Sequence, residues 1–175
     1  MNTKNLVLMA LLVGVGAALY VVIPGISGGM KPDFMLTMMF IGILLFPTVK
    51  DTFLLAISTG VLSGLFSTFP GGFVPNIVDK AVTGFVFLMI VLVLHHLAQK
   101  IVIATLLVGG GTILSGTTFL VMALLLTDVP IDFKILFLTV VLPAVALNAI
   151  AFVIVYPIIT NLVKRSNFKT SLSQA

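Results

Sequence analysis

Six apolar runs, each bounded by proline, glycine or charge, set what this chain can fold into. They extend from Leu6 to Ile23, Phe34 to Phe46, Thr52 to Ser67, Ile77 or Ala81 to Leu94, Ile101 to Leu126 and Ile135 to Val163. A helix that crosses a bilayer needs about 20 apolar residues, with a usual range of ~17–25. Only 8% of the residues are charged, where a water-soluble domain carries about 25%. Mean hydropathy is +1.32. The expectation is an all-α integral membrane protein, a bundle of six transmembrane helices forming a single domain over residues 1–175. The first run could pass for a signal peptide, but no Ala-x-Ala-like cleavage site closes it, so it reads as the first span. The second is short, and either thins the bilayer locally or extends into the preceding loop.

The same composition excludes several functions. Cysteine is absent, so no disulfide and no Cys-based metal site is expected. His95 and His96 are adjacent and do not share a helix face, so they are poorly placed to chelate one metal. No nucleotide-binding Gly-x-x-x-x-Gly-Lys-Ser/Thr loop occurs, so the chain is not expected to hydrolyse ATP. A net charge of +4, scattered along the chain, does not suit nucleic acid. No catalytic set and no cofactor is expected.

Charge distribution orients the bundle. Lys4, Lys50, Lys100, Lys164, Arg165 and Lys169 fall at one set of helix ends, against Lys31, Lys80 and Lys134 at the other. By the positive-inside rule both termini are cytoplasmic in the cell membrane. Small residues recur at four-residue spacing in two places, Ala10/Gly14/Ala18 and Ala56/Gly60/Gly64, and each ridge lets another helix approach closely. Gly109-Gly110-Gly111 and Pro143 weaken the last two spans. They mark either close packing and an ordinary kink, or broken helices around a cavity.

The stretch from Thr68 to Lys80 combines Pro70-Gly71-Gly72, Pro75, Phe69, Phe73, Asn76 and the pair Asp79–Lys80. Proline followed by glycine is a turn signal, and Pro75 biases Val74 towards extended backbone. The stretch reads as an ordered outward loop beside a second one carrying Lys31 and Asp33. Rings with both signs of charge suit an amphipathic zwitterion: an aspartate such as Asp79 for the ammonium, Lys31 or Lys80 for the carboxylate, and Phe69 or Phe73 for the side chain. Asn76 would bond the ligand's backbone groups or fix the loop. If this loop is only a connector, the site falls to Thr112, Ser115, Thr118 and Asn148.

Met30-Lys-Pro-Asp33, Phe69-Pro-Gly-Gly72, Pro75-Asn76, Asp79-Lys80, Gly111-Thr-Ile-Leu-Ser-Gly-Thr117 and Ala146-Leu-Asn-Ala149 resemble the tryptophan transporter family TrpP. That family is similar to the substrate-binding S components of energy-coupling factor (ECF) transporters. The resemblance implies a six-helix binder of tryptophan, set among membrane lipid and docked on a T subunit that carries two cytoplasmic ATPases. It implies docking through the first helix, here Ala10, Gly14 and Ala18. Alternatives are an S component for another small aromatic compound or vitamin, and a self-sufficient secondary amino-acid transporter. The latter is disfavoured by the lack of an acid expected within a span. A membrane enzyme or assembly factor would call for a buried His/Asp/Glu cluster, which the sequence does not suggest.

Overall fold

The structure is a computed structural model that describes residues 3–23, 32–98, 100–127, 132–166, 168 and 170. Those residues form helices and no strand. In order they are α1 (Thr3–Val22), α2 (Phe34–Leu45), α3 (Val49–Leu65), α4 (Phe73–Val93), the short α5 (His95–Ala98) and α6 (Ile101–Leu126). The single turn α7 (Phe133–Leu136) then runs through a π-helical segment, Phe137–Val141, into α8 (Leu142–Arg165). Among the described residues, four helical stretches are long and apolar enough to cross a membrane: Thr3–Val22, Phe73–Val93, Ile101–Leu126 and Phe133–Arg165. Short connectors at 46–48 and 66–72 make sequence neighbours pack side by side in antiparallel fashion. The connector at 66–72 shares an end of the bundle with Thr127, whose side chain would lie 2.8 Å from a Cβ on Gly71.

The second run neither thins the bilayer nor lengthens. All twelve residues of α2 are buried, so this helix sits in the middle of the bundle, away from lipid. Asp33 caps it by accepting the Leu36 N–H at 2.9 Å. Phe40, fully buried, stacks on Phe87 of α4 with centroids 4.3 Å apart. A Cβ on Gly111 would lie 2.6 Å from the Phe40 ring. Gly111 is therefore a packing feature, and the helix passes through the glycine run unbroken.

The Ala56/Gly60/Gly64 ridge brings α3 against α4. A Cβ on Gly60 would lie 2.9 Å from Ile77 Cα, and one on Gly64 2.9 Å from the Phe73 carbonyl. The connector between these helices is a turn in which Gly72 N–H bonds the Phe69 carbonyl at 3.0 Å. Pro70 occupies the second position and Gly71, at φ +71°, the third, as a type II turn requires.

The loop read from Thr68 to Lys80 is shorter than expected, because α4 begins at Phe73. Pro75 lies in the first turn, where the helix has no partner for an N–H anyway. Asp79 and Lys80 are consequently helical and buried, not solvated loop charges. At Pro143 the chain does not break either. The π segment precedes it, with Leu142 N–H reaching the Phe137 carbonyl, and this wider turn makes room for the proline ring.

Gly60→Ala is expected to lower stability by about 1–3 kcal/mol, because backbone on both sides resists the added methyl. Gly110, with nothing within 4 Å of a Cβ, provides the control. Gly110→Ala should be neutral or raise stability by up to about 1 kcal/mol. Thermal unfolding of the purified chain in detergent measures both, and equal midpoints would refute the close α3–α4 contact.

Candidate functional site

A lysine between two aspartates holds one end of the bundle together. Lys80 lies in the second turn of α4, about 10 Å from its start at 1.5 Å per residue. Its Nζ donates to Asp79 Oδ2 at 2.7 Å, to Asp33 Oδ2 at 3.0 Å and to Ser115 Oγ at 3.2 Å. Ser115 on α6 donates its own hydroxyl to Asp79 Oδ2 at 2.8 Å, and Thr83 donates to Asp79 Oδ1 at 2.9 Å. Side-chain exposure is 3% for Lys80, 1% for Asp79 and 31% for Asp33. Burying charge without partners costs several kcal/mol per ion, so this density of bonds is what makes the cluster tolerable.

The network continues to α8. Asn148 Oδ1 accepts the Asp33 N–H at 2.7 Å, and Asn148 Nδ2 donates to Thr112 Oγ1 at 3.2 Å. Thr112 in turn bonds the Val108 carbonyl of its own helix at 2.8 Å. Asp33 also bonds Thr37 through its carbonyl, at 3.0 Å. Helices α2, α4, α6 and α8 thus converge on one polar knot, and a cavity of about 560 Å³ opens over it. Pockets for small molecules commonly measure about 300–1,000 Å³. The polar wall includes Tyr20, Ser63, Ser67, Thr68 and Asn76 besides the knot. The apolar wall includes Phe69, Phe119, Leu120, Leu136, Val140, Val141, Ala144 and Leu147. Phe69 and Phe119 meet edge to face, with centroids 5.5 Å apart and planes at 85°.

Asp33, Phe69, Asn76, Asp79, Lys80, Thr112, Ser115 and Asn148 all line this single cavity, so the loop and the helical alternative are two walls of one pocket. Asn76 fixes the backbone, its Nδ2 donating to the Gly72 carbonyl at 2.7 Å. Two expected residues stand apart. Phe73 is 42% exposed, packs its ring edge and backbone on Gly64, and does not line the cavity. Thr118 is half-buried and does not line it either. Lys31 lies outside the described residues. The expectation that no acid lies within a span is also corrected, because Asp79 sits inside α4, buried. Tyr20 and Phe119 line the pocket without having been singled out from the sequence. Phe119 was legible: Thr112, Ser115 and Phe119 follow i, i+3, i+7 along one face of α6.

Ala10, Gly14 and Ala18 lie on the opposite side of α1 from its buried stripe, exposed, and nothing comes within 4 Å of a Cβ on Gly14. Among the described residues, nothing packs against this ridge at Gly14. No group of three or more His, Cys, Asp or Glu able to hold a metal occurs among the described residues.

A family model described as "Tryptophan transporter TrpP" matches residues 2–164. A "Probable tryptophan transport protein" of Bacillus subtilis (strain 168) is 49% identical over 168 residues, covering 96% of this chain and 97% of that one. A protein of the same description from Clostridium acetobutylicum is 45% identical over 89% of this chain and 91% of its own length. A third, from Clostridium perfringens (strain 13 / Type A), is 37% identical, covering 95% and 96%. No solved structure matches the chain significantly.

Removing one member of a buried ion pair strands the other. Lys80→Met should therefore lower stability by about 3–5 kcal/mol. The double variant Asp79→Asn/Lys80→Met should recover a measurable part of that loss, because it no longer strands the Asp79 charge. Thermal unfolding in detergent reads both. If the double variant is no more stable than Lys80→Met alone, the Asp79–Lys80 pair is not what supports the knot.

Proposed function

The chain belongs to the tryptophan transporter TrpP family, and from that premise we propose that it captures tryptophan in the cavity above the Asp33–Lys80–Asp79 knot for uptake into the cell. The observation that carries this reading is the pairing, in one cavity, of a partly exposed carboxylate with an aromatic corner, Phe69 and Phe119. An indole ring buries about 200 Å² against such a corner, on the order of 5 kcal/mol. The polar knot meets the other end of the amino acid. The cavity faces outward and both termini are cytoplasmic, in keeping with the Lys/Arg distribution. Moving Lys80 from a loop into α4 leaves Lys31 and Lys134 on the outer side and sharpens that asymmetry.

The chain works as a substrate-capturing subunit, a six-span S component whose partners are an ECF T subunit and two ATPases. Support comes from the Ala10/Gly14/Ala18 ridge, which is exposed and open to another helix. One observation favours a different reading, a secondary transporter driven by an ion gradient: the buried acid Asp79 in α4. Uptake into intact cells separates the two. Loss on ATP depletion with the ion gradient clamped supports the subunit, and loss with protonophore at constant ATP supports the rival.

Phe119→Ala should weaken tryptophan binding to the purified chain by roughly ten- to a hundredfold, corresponding to about 1.5–3 kcal/mol of lost burial. Titration calorimetry measures it, and an unchanged dissociation constant would move the indole elsewhere. Gly14→Leu should abolish uptake in cells and leave tryptophan binding by the isolated chain intact. Wild-type uptake by that variant would return the ridge to lipid contact.

A further inference from the structure

The charges in the knot do not balance. Two carboxylates, Asp33 and Asp79, surround one ammonium, Lys80. A lysine ammonium has three N–H donors, and Asp33, Asp79 and Ser115 take all of them. With its side chain 3% exposed, Lys80 offers neither a free donor nor an open face to a ligand carboxylate. Asp79 is closed too: Thr83 holds one oxygen, Lys80 and Ser115 the other. Asp33 is different. A carboxylate has about four lone-pair sites, and among the described residues the Leu36 N–H and Lys80 occupy two of them. Its side chain is 31% exposed and forms part of the cavity wall.

Among the described residues, the remaining donors on the cavity wall are neutral, including the hydroxyls of Ser67 and Thr68. The Asn76 amide is already engaged with the Gly72 carbonyl. Charge-assisted hydrogen bonds are roughly twice as strong as neutral ones. An incoming ammonium therefore gains a charged partner in Asp33, whereas an incoming carboxylate meets neutral donors beside a cluster of net negative charge.

We propose that this site selects its ligand by the ammonium, through Asp33, and accepts aromatic primary amines that lack a carboxylate. The proposal rests on the cavity being the substrate site. Lys31, expected near this rim from the sequence, lies outside the described residues, and its contribution is included in the measurement that follows.

Direct calorimetric titration of the purified chain with tryptophan, tryptamine and indole-3-propionate separates the two ends of the ligand. Tryptamine keeps the ammonium and lacks the carboxylate; indole-3-propionate does the reverse. Tryptamine should bind at least about tenfold more tightly than indole-3-propionate. Asp33→Asn should weaken tryptamine at least about tenfold, and asparagine preserves the cap of α2. A tryptamine preference below tenfold, no tryptamine binding, or unchanged tryptamine affinity in a folded Asp33→Asn chain overturns the proposal. Should that variant fail to fold, the wild-type ratio of the two ligands decides alone. If tryptamine binds and tryptophan does not, the ammonium selectivity stands and the tryptophan reading falls.

Discussion

A single buried lysine shared by two carboxylates is the constraint on which the cavity end of the bundle depends. Lys80 fixes the distance between α4 and the start of α2 through Asp33, and between α4 and α6 through Ser115. Asn148 brings α8 to the same point by holding the Asp33 N–H. In a low-dielectric interior such a knot tolerates little misplacement, since any lost bond leaves a charge or dipole stranded. The four helices are therefore held in register by polar bonds at one end and by apolar packing around Phe40, Phe87 and Phe152 elsewhere. The cavity lies where the first kind of contact gives way to the second.

Much of this was legible from sequence. Lipid-length apolar runs give the helices, because backbone polar groups in hydrocarbon must be satisfied within the segment. Pro70-Gly71 marked its turn, since proline presets one position and glycine accepts the positive φ of the next. The Ala56/Gly60/Gly64 spacing marked a helix contact, which the structure assigns to α4. The Ala10/Gly14/Ala18 spacing is the same, yet among the described residues no helix comes against Gly14 at its centre. Spacing reveals a smooth surface and not what lies against it.

The main misreading was at Pro75. The pre-proline preference for extended backbone argued for a loop through Lys80, but a proline in a first turn costs a helix no hydrogen bond. With the helix beginning at Phe73, the charged pair moves from water into the protein interior, and Asp79 changes from an exposed ligand-binding group to a buried support. Phe73 loses its expected role for the same reason, because its place at the start of α4 points its backbone at Gly64. Asp33, seen in sequence as one charge of an adjacent Lys/Asp pair, turns out to be the more exposed of the two carboxylates on the cavity wall.

The complete burial of α2 has a consequence for how the protein senses its surroundings. Twelve residues make a rod about 18 Å long, far short of a hydrocarbon core of about 30 Å. Its solvent is other helices, so it does not have to match the membrane at all. The outer helices answer to lipid thickness by tilting or bending, while the floor of the cavity, anchored at the head of α2, answers to protein packing. Changes in membrane thickness should therefore act first on the rim of this pocket and on whatever binds the outside of the bundle, and least on the carboxylate at its base.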